Sequence, residues 1–347
     1  MAGVAWPRLP NVDPLRIGVL GTARISATAL LEPAASVPEV TVAGVASLNG
    51  SRAVAYAQEH QIPVAYDGYH TLLEDPDIDA VYIPLPNTQH AEWAIRSAQA
   101  GKHILCEKPI AVTAADAREM FDAAHKHGVH LAEAYPYRSQ PQTLKTRELL
   151  ASGAIGRVQW IHATFGFTCT DPNNIRLDPT LGGGALLDAG SYPVSFVRMV
   201  AGDRPIRVHA SARWSETGVD RTVVASIEFN GGLLAQIACS FATAFHRRAL
   251  IAGDAGMLET TYLNDPPEGG PPAIRLSQGI HNDAWSGTIE TTGGSGFKAE
   301  AENFQEMVRY GLDRWTGSTE IESIDTILTL EALVRSAHSG AWETVDK

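Results

Sequence analysis

Asp188 and Tyr192 stand four residues apart in the stretch LGGGALLDAGSYPVSF, residues 181–196. On a helix that spacing puts a carboxylate and a phenol on one face. A phenol held by an acid can take up or deliver a proton. Removing hydride from a carbinol needs such a base, because the hydroxyl proton must leave as the hydride does. A lysine nearby would stabilise the phenolate. A capped helix with a buried tyrosine fits the same spacing, and residue types alone leave both readings standing.

A lysine that fits this chemistry lies in CEKPIAV, residues 106–112, directly after the apolar run HILC. Pro109 fixes φ and removes an N–H, so the strand must stop there. A cis Lys108–Pro109 bond is possible at such a point but rare. In an open parallel sheet, ligands bind beyond the carboxyl ends of the strands, and Lys108 falls at such an end. An amine beside a sugar hydroxyl eases loss of the hydroxyl proton. A solvated strand-end charge is the alternative.

A third group of residues follows LRIGVL as GTARIS, residues 21–26. Strand, glycine turn and helix are the context of a dinucleotide fingerprint. Gly21 takes the tight turn. Ala23 and Ser26 replace the second and third glycines of the motif, and Thr22, Arg24 and Ile25 fill the turn. Free N–H groups at the helix start suit a phosphate. The second strand ends in ASLNGSR without the acid that would bind a ribose 2′-hydroxyl. Ser47, Asn49 and Arg52 are neutral or positive there and suit a 2′-phosphate, so NADP is expected ahead of NAD.

The elements that must carry these groups follow from pattern. Short apolar strands at LRIGVL, VTVAGVAS, AVYIPLP, HILCEKP and VHLAEAY alternate with helical stretches up to about residue 135. Such alternation predicts βαβ units and a doubly wound parallel sheet, here a Rossmann domain over 1–134. Longer strands with period-2 alternation then run from RVQWIHATFGF to RRALIAGDAGMLETTYL. They predict an α+β domain over 135–347 with a large, mostly antiparallel open sheet. Helices near 182–201, 298–314 and 322–339 are expected to cover it, and NDPPEGGPP, 264–272, reads as a loop.

Composition narrows the function. The chain has 347 residues and a net charge of −12 without a basic stripe, which argues against nucleic acid. No window suits a bilayer span. The opening MAGVAWPRLPNVDP has no basic segment ahead of an apolar one, so a cytoplasmic chain is expected. Cys106, Cys169 and Cys239 are widely spaced and the twelve histidines form no ligand cluster, so neither a disulfide nor a metal is expected. Tyr137 and Arg138 follow the domain junction, where a substrate pocket would form. Arg138 and Arg176 are candidates for holding substrate hydroxyls, with surface ion pairs as the alternative. His162 and His246 are candidates of the same kind, with structural roles favoured.

GVLGTARIS, AVYIPLPNTQHAEWAIRSAQAGKHILCEKPIAV and GGGALLDAGSYPV together resemble the glucose–fructose oxidoreductase/inositol dehydrogenase (Gfo/Idh/MocA) family, from about Leu15 to the closing SAHSGAWETV. NIRLDPTLGGGALLDAGSYPV is similar to its sugar- and dihydrodiol-dehydrogenase branch, which includes NADP-dependent xylose dehydrogenases. The resemblance implies an NAD(P)-dependent oxidoreductase acting on a sugar or vicinal diol. Lys108 would lie beside nicotinamide and substrate hydroxyl, and Tyr192 would be the acid/base, supported by Asp188. Pro86, Asn87 and His90 match the family's cofactor-contacting loop, and Glu107 and Pro109 shape the lysine's turn. An aldose 1-dehydrogenase of xylose type is implied first, a ketosugar reductase second, and a non-catalytic sensor of dinucleotide or sugar last. A homodimer or homotetramer through the C-terminal sheet is implied as well. Ser47-Leu48 departs from the Ser-Arg frequent in NADP-type members.

Overall fold

The computed structural model describes residues 13–267, 272–281 and 285–346. The opening residues through 12 and residues 268–271 of the Pro/Gly-rich run lie outside the described residues. The chain divides into two compact units, one of residues 1–111, 115–139 and 295–320, the other of 112–114, 140–294 and 321–347. Among the described residues no helix is long and apolar enough to cross a membrane.

The first unit starts with β1 (Leu15–Leu20), a π-helical turn (Ala27–Leu31) and α1 (Glu32–Ala34). β2 (Val40–Ser47), α2 (Gly50–His60), β3 (Val64–Asp67), α3 (Tyr69–Glu74) and β4 (Ala80–Ile83) follow. Then come α4 (His90–Gln99), β5 (His103–Glu107), α5 (Ala114–His127), β6 (Leu131–Ala134) and α6 (Pro136–Ser139). The six strands are parallel in the order β3-β2-β1-β4-β5-β6, the dinucleotide-binding order. β4 and β6 are buried on both faces, which is why they read as continuous apolar runs. Strand order reverses between β1 and β4, so the crevice beyond their carboxyl ends is where a ligand is received.

The second unit opens with α7 (Pro141–Ala151) and β7 (Val158–Thr168). A second π-helical turn (Leu186–Gly190) leads into α8 (Ser191–Ala201). Seven strands follow: β8 (Pro205–Trp214), β9 (Asp220–Phe229), β10 (Leu234–Ser240), β11 (Ala242–Gly253), β12 (Gly256–Thr260), β13 (Ala273–Gln278) and β14 (Trp285–Glu290). The chain then forms α9 (Gly296–Tyr310), α10 (Glu320–Ser339) and β15 (Glu343–Thr344). The sheet runs β14-β13-β12-β11-β7-β10-β9-β8-β15 and is antiparallel except where β10 pairs with β7. Its two faces separate by alternation. Ile161, Ala163, Ala225, Ile227, Ala235, Ile237, Ala249 and Ile251 are buried on one. Registered against one another on the opposite face stand Trp160, His162 and Thr164, with Leu234, Gln236 and Ala238.

α8 packs on the covered face along β7 and β10. α10 is tied to α8 by the buried pair Arg198–Asp325 at 2.9 Å, and to β8 by Ala210 N–H donating to Ser336 Oγ. The helix expected near 298–314 does not cover this sheet. As α9 it belongs to the first unit, because Phe297, Phe304, Met307 and Val308 form one apolar stripe that enters the core of Leu15, Ile17, Val19, Tyr82 and Leu105.

Candidate active site

The glycine turn comes straight off β1. Gly21 has φ +102°, and its N–H donates to the Ala46 carbonyl at 2.8 Å. A side chain there would need the left-handed region and would put Cβ 2.9 Å from Leu85 Cδ2. Thr22 and Ala23 are half-buried, Arg24 and Ile25 exposed, and Ser26 sealed beneath. Ala23 and Ser26, both small, thus stand at a half-buried and a sealed position of the turn. Beside it, Asn49 caps α2 by accepting from the Arg52 N–H, and Ser47 Oγ accepts from the Asn49 N–H at 3.2 Å. This places Arg52 in the first turn, where its Nη2 donates to Thr22 Oγ1 at 3.0 Å. Leu48 is 71% exposed and takes no part. A guanidinium fixed beside the phosphate turn fits a dinucleotide with a 2′-phosphate.

Lys108 stands at the carboxyl end of β5, on the same sheet edge as Gly21. The Lys108–Pro109 bond is cis. Glu107 braces the turn: Tyr82 Oη donates to its Oε1 at 2.6 Å, and its Oε2 accepts from the Lys108 N–H at 3.2 Å. Burial, then the Glu107 charge, drives the Tyr82 phenol well above its usual range, so it stays a donor. The Ile110 N–H donates to Glu133 Oε1 at 2.8 Å. His90 is fully buried, with Nδ1 2.9 Å from the Pro109 carbonyl and Nε2 2.8 Å from that of Leu85. It ties the loop after β4, which carries Pro86 and Asn87, to the lysine's loop. Burial pushes its imidazole below the usual range, against the pull of the two carbonyls. Tyr137 and Arg138 are buried within this unit. Arg138 Nη2 donates to the Gly317 carbonyl at 3.3 Å, and Tyr137 meets the Tyr135 ring edge-on.

In the second unit the glycine run leads into the π-helical turn. Gly184 has φ +121°, and a Cβ there would lie 2.4 Å from Asp220 Oδ1. The close approach lets Asp220, from β9, accept the Leu186 N–H at 2.7 Å. An anion therefore sits on the first N–H groups of the helix that carries Asp188 and Tyr192. Burial, partly opposed by these N–H groups, raises the Asp220 carboxyl to about 6.

Asp188 pairs with Arg176, whose Nε donates to Oδ2 at 2.6 Å, and the Asp188 charge raises the Arg176 guanidinium above its ordinary value. Tyr192 is buried against the edge of Phe165, with ring centroids 5.3 Å apart. Its Oη accepts from Asn264 Nδ2 at 3.3 Å, and the Arg247 guanidinium lies 3.9 Å from its ring centroid.

Of the residues named from sequence, the structure gathers two sets, each within its own unit. Gly21, Thr22, Arg52, Glu107 and Lys108 share one sheet edge. Arg176, Asp188 and Tyr192 share the entry to α8. His162 stands on the sheet face opposite Tyr192, and His246 Nδ1 lies 2.9 Å from the Ala244 carbonyl. Arg247, Asn264 and Asp220 were not among the sequence candidates. Strict alternation through RRALIAG would have flagged Arg247 as a charge on an otherwise apolar face. Cys106, Cys169 and Cys239 are buried thiols, and among the described residues no cluster of metal-binding side chains occurs.

Comparison with known proteins agrees with this fold. Residues 15–135 match the family model described as an oxidoreductase family with an NAD-binding Rossmann fold, and residues 143–259 match a GFO/IDH/MocA C-terminal domain. The chain is 35% identical to a D-xylose 1-dehydrogenase (NADP(+)) of Haloferax volcanii over 340 residues, covering 96% of this chain and all of that protein. It is 36% identical to a dTDP-3,4-didehydro-2,6-dideoxy-alpha-D-glucose 3-reductase of Streptomyces violaceoruber over 271 residues, 77% of this chain and 79% of that one. Its fold matches KijD10, a 3-ketoreductase from Actinomadura kijaniata solved with NADP and TDP-benzene. The TM-score is 0.84 at 27% identity, over 93% of this chain and 98% of that one.

Proposed function

The chain belongs to the GFO/IDH/MocA family of oxidoreductases, and on that premise we propose that it oxidises a sugar or vicinal-diol hydroxyl with NADP, as an aldose 1-dehydrogenase of xylose type. One observation carries the reading: Lys108 occupies the carboxyl edge of the sheet that also bears the Gly21 turn and Arg52, held there by Glu107. Bound nicotinamide supplies the acceptor for the carbinol hydride. Tyr192, as the phenolate, takes the hydroxyl proton and becomes the phenol, while the C–H hydrogen leaves with its electron pair and the carbonyl forms. Lys108 lowers the cost of losing that proton by its charge. Asp188 and Arg176 hold the start of α8 and offer hydrogen bonds to neighbouring hydroxyls. Arg52 selects the 2′-phosphate.

Reduction of a ketosugar is the second reading. It uses the same groups in reverse, and the similarity to sugar 3-reductases favours it. Self-association through the open face of the nine-stranded sheet accompanies either reading, because Val224 and Leu234 stand exposed there at 57% and 49%. The deciding experiment mixes the protein with NADP or NAD and a panel of aldoses and diols, and with NADPH and ketosugars, following the reduced-nicotinamide absorbance. Turnover of an aldose, lost by more than about 100-fold in both Lys108→Ala and Tyr192→Phe, supports the reading. Cofactor binding without turnover of any panel member indicates a sensor instead.

A further inference from the structure

Arg247 is a charge on the covered, apolar face of the second sheet, 5% exposed. A buried guanidinium is costly unless its position does something. It registers opposite Phe165 and lies over three rings: Tyr192 at 3.9 Å, Tyr262 at 4.9 Å and Phe165 at 5.1 Å. Its Nη1 donates to Asn264 Oδ1 at 3.1 Å. Arginine only donates, so this bond fixes which way the Asn264 amide faces. The oxygen must point at Arg247, and the NH2 is left to point at Tyr192 Oη, 3.3 Å away. Tyr192 therefore accepts from Asn264, and its own O–H is not spent on that amide.

We infer that Arg247 and Asn264 are a positioning pair for Tyr192, resting on the reading of Tyr192 as the acid/base. Asn264 holds the phenol oxygen as an acceptor, and Arg247 fixes the amide while placing positive charge on the ring face. Both interactions are stronger to the phenolate than to the phenol, so they favour the form of Tyr192 that takes the hydroxyl proton in oxidation and the charge that develops on it in reduction. The pair touches Tyr192 and not the substrate, so it acts on the proton-transfer step and leaves substrate binding unchanged.

The test measures kcat and KM separately on the best substrate from the panel, for Tyr192→Phe, Asn264→Leu, Arg247→Met and Arg247→Lys, with thermal unfolding of each. Asn264→Leu lies in the segment after β12 and keeps the experiment decisive if Arg247→Met does not fold. The expected result is a fall in kcat of about 10- to 100-fold for Asn264→Leu and Arg247→Met. KM stays within about twofold, and Arg247→Lys recovers part of the loss. In a Tyr192→Phe background, Asn264→Leu is expected to add nothing, because its partner atom is gone. Unchanged kcat, a rise in KM alone, or full additivity with Tyr192→Phe overturns the inference while leaving Tyr192 its role. Wild-type turnover by Tyr192→Phe overturns the functional reading itself, and so does a panel in which nothing is turned over.

Discussion

Arg52 Nη2 donates to Thr22 Oγ1 at 3.0 Å, so a residue in the first turn of α2 reaches the phosphate turn that follows β1. On the proposed function, the contact sets the guanidinium where a 2′-phosphate on the adenosine ribose would be read. Arg52→Ala is expected to raise KM for NADP by about 10- to 100-fold, the worth of one charge-assisted contact, and to change KM for NAD by less than about threefold. Steady-state kinetics with both cofactors check this. Equal losses for both would assign Arg52 to the fold of the turn.

Gly21→Ala tests the turn itself. The φ of +102° and a Cβ 2.9 Å from Leu85 Cδ2 both oppose a side chain. The substitution is expected to cost about 1–3 kcal/mol of stability and to weaken both cofactors alike, in contrast to Arg52→Ala. Urea unfolding and cofactor fluorescence titration separate the two effects.

Asp220 makes the second unit sensitive to pH in one direction. Its carboxyl is raised to about 6 in the folded chain, against an ordinary value near 3.8. The folded state therefore binds this proton more tightly than the unfolded chain does. Its contribution is full below about pH 4 and is lost as pH rises to about 6, a change of about 3 kcal/mol. Asn at this position keeps an acceptor for the Leu186 N–H and has no such titration. The stability difference between Asp220→Asn and wild type is expected to move in favour of the variant between pH 4 and pH 6. Parallel curves across that window would refute the assignment.

The first unit carries the opposite dependence. His103 and His130 stack at 5.4 Å, and burial pushes both imidazoles down to about 4, the mutual charge of the pair adding to it for His103. The unfolded chain takes up these protons first, so stability rises with pH from about 4 to about 6.5 and falls on acidification. The His130 N–H donates to His103 Nδ1 at 3.0 Å, a bond that a protonated Nδ1 cannot accept. His103→Asn retains an acceptor and is expected to unfold at lower pH than wild type. Circular dichroism through an acid titration reads this, and identical acid midpoints would place the sensitivity elsewhere.

These elements were legible from the sequence to different depths. β1, β4 and β5 announce themselves as short apolar runs, and the carboxyl edge then follows from their parallel arrangement, which is how Gly21, Arg52 and Lys108 could be named. The destination of α9 was not legible: an amphipathic stripe shows that a helix packs, not which sheet receives it. The Asn264–Tyr192 bond joins residues 72 positions apart, and no local pattern encodes it. Alternation puts Arg247 on the face of Ala249 and Ile251, but no local pattern shows that Tyr192 packs beneath its guanidinium. Asp188 also pairs with Arg176, brought near by the 3₁₀ turn Ile175–Leu177, whose position only the fold decides.

Glu300 provides the last prediction. It lies on α9, 2% exposed, and its Oε1 is sealed with no hydrogen-bond partner among the described residues. Burial first, then the charges of Glu107 and Glu133, raises its carboxyl well above the ordinary range. The folded chain therefore holds this proton to a higher pH than the unfolded chain does. Each pH step above the ordinary carboxylate value costs the native state about 1.4 kcal/mol until the folded group also ionises. Glu300→Gln has the same shape, no proton to lose and no repulsion from Glu107. The variant is expected to match wild type near pH 4 and to gain on it as pH rises above the ordinary carboxylate value in urea unfolding. A constant difference over that range would mean that Glu300 is ionised in the fold and has a cation beside it. Removing this carboxyl also leaves Glu107 and its bond to Tyr82 in place, so the Lys108 turn is expected to keep its geometry and the variant its turnover.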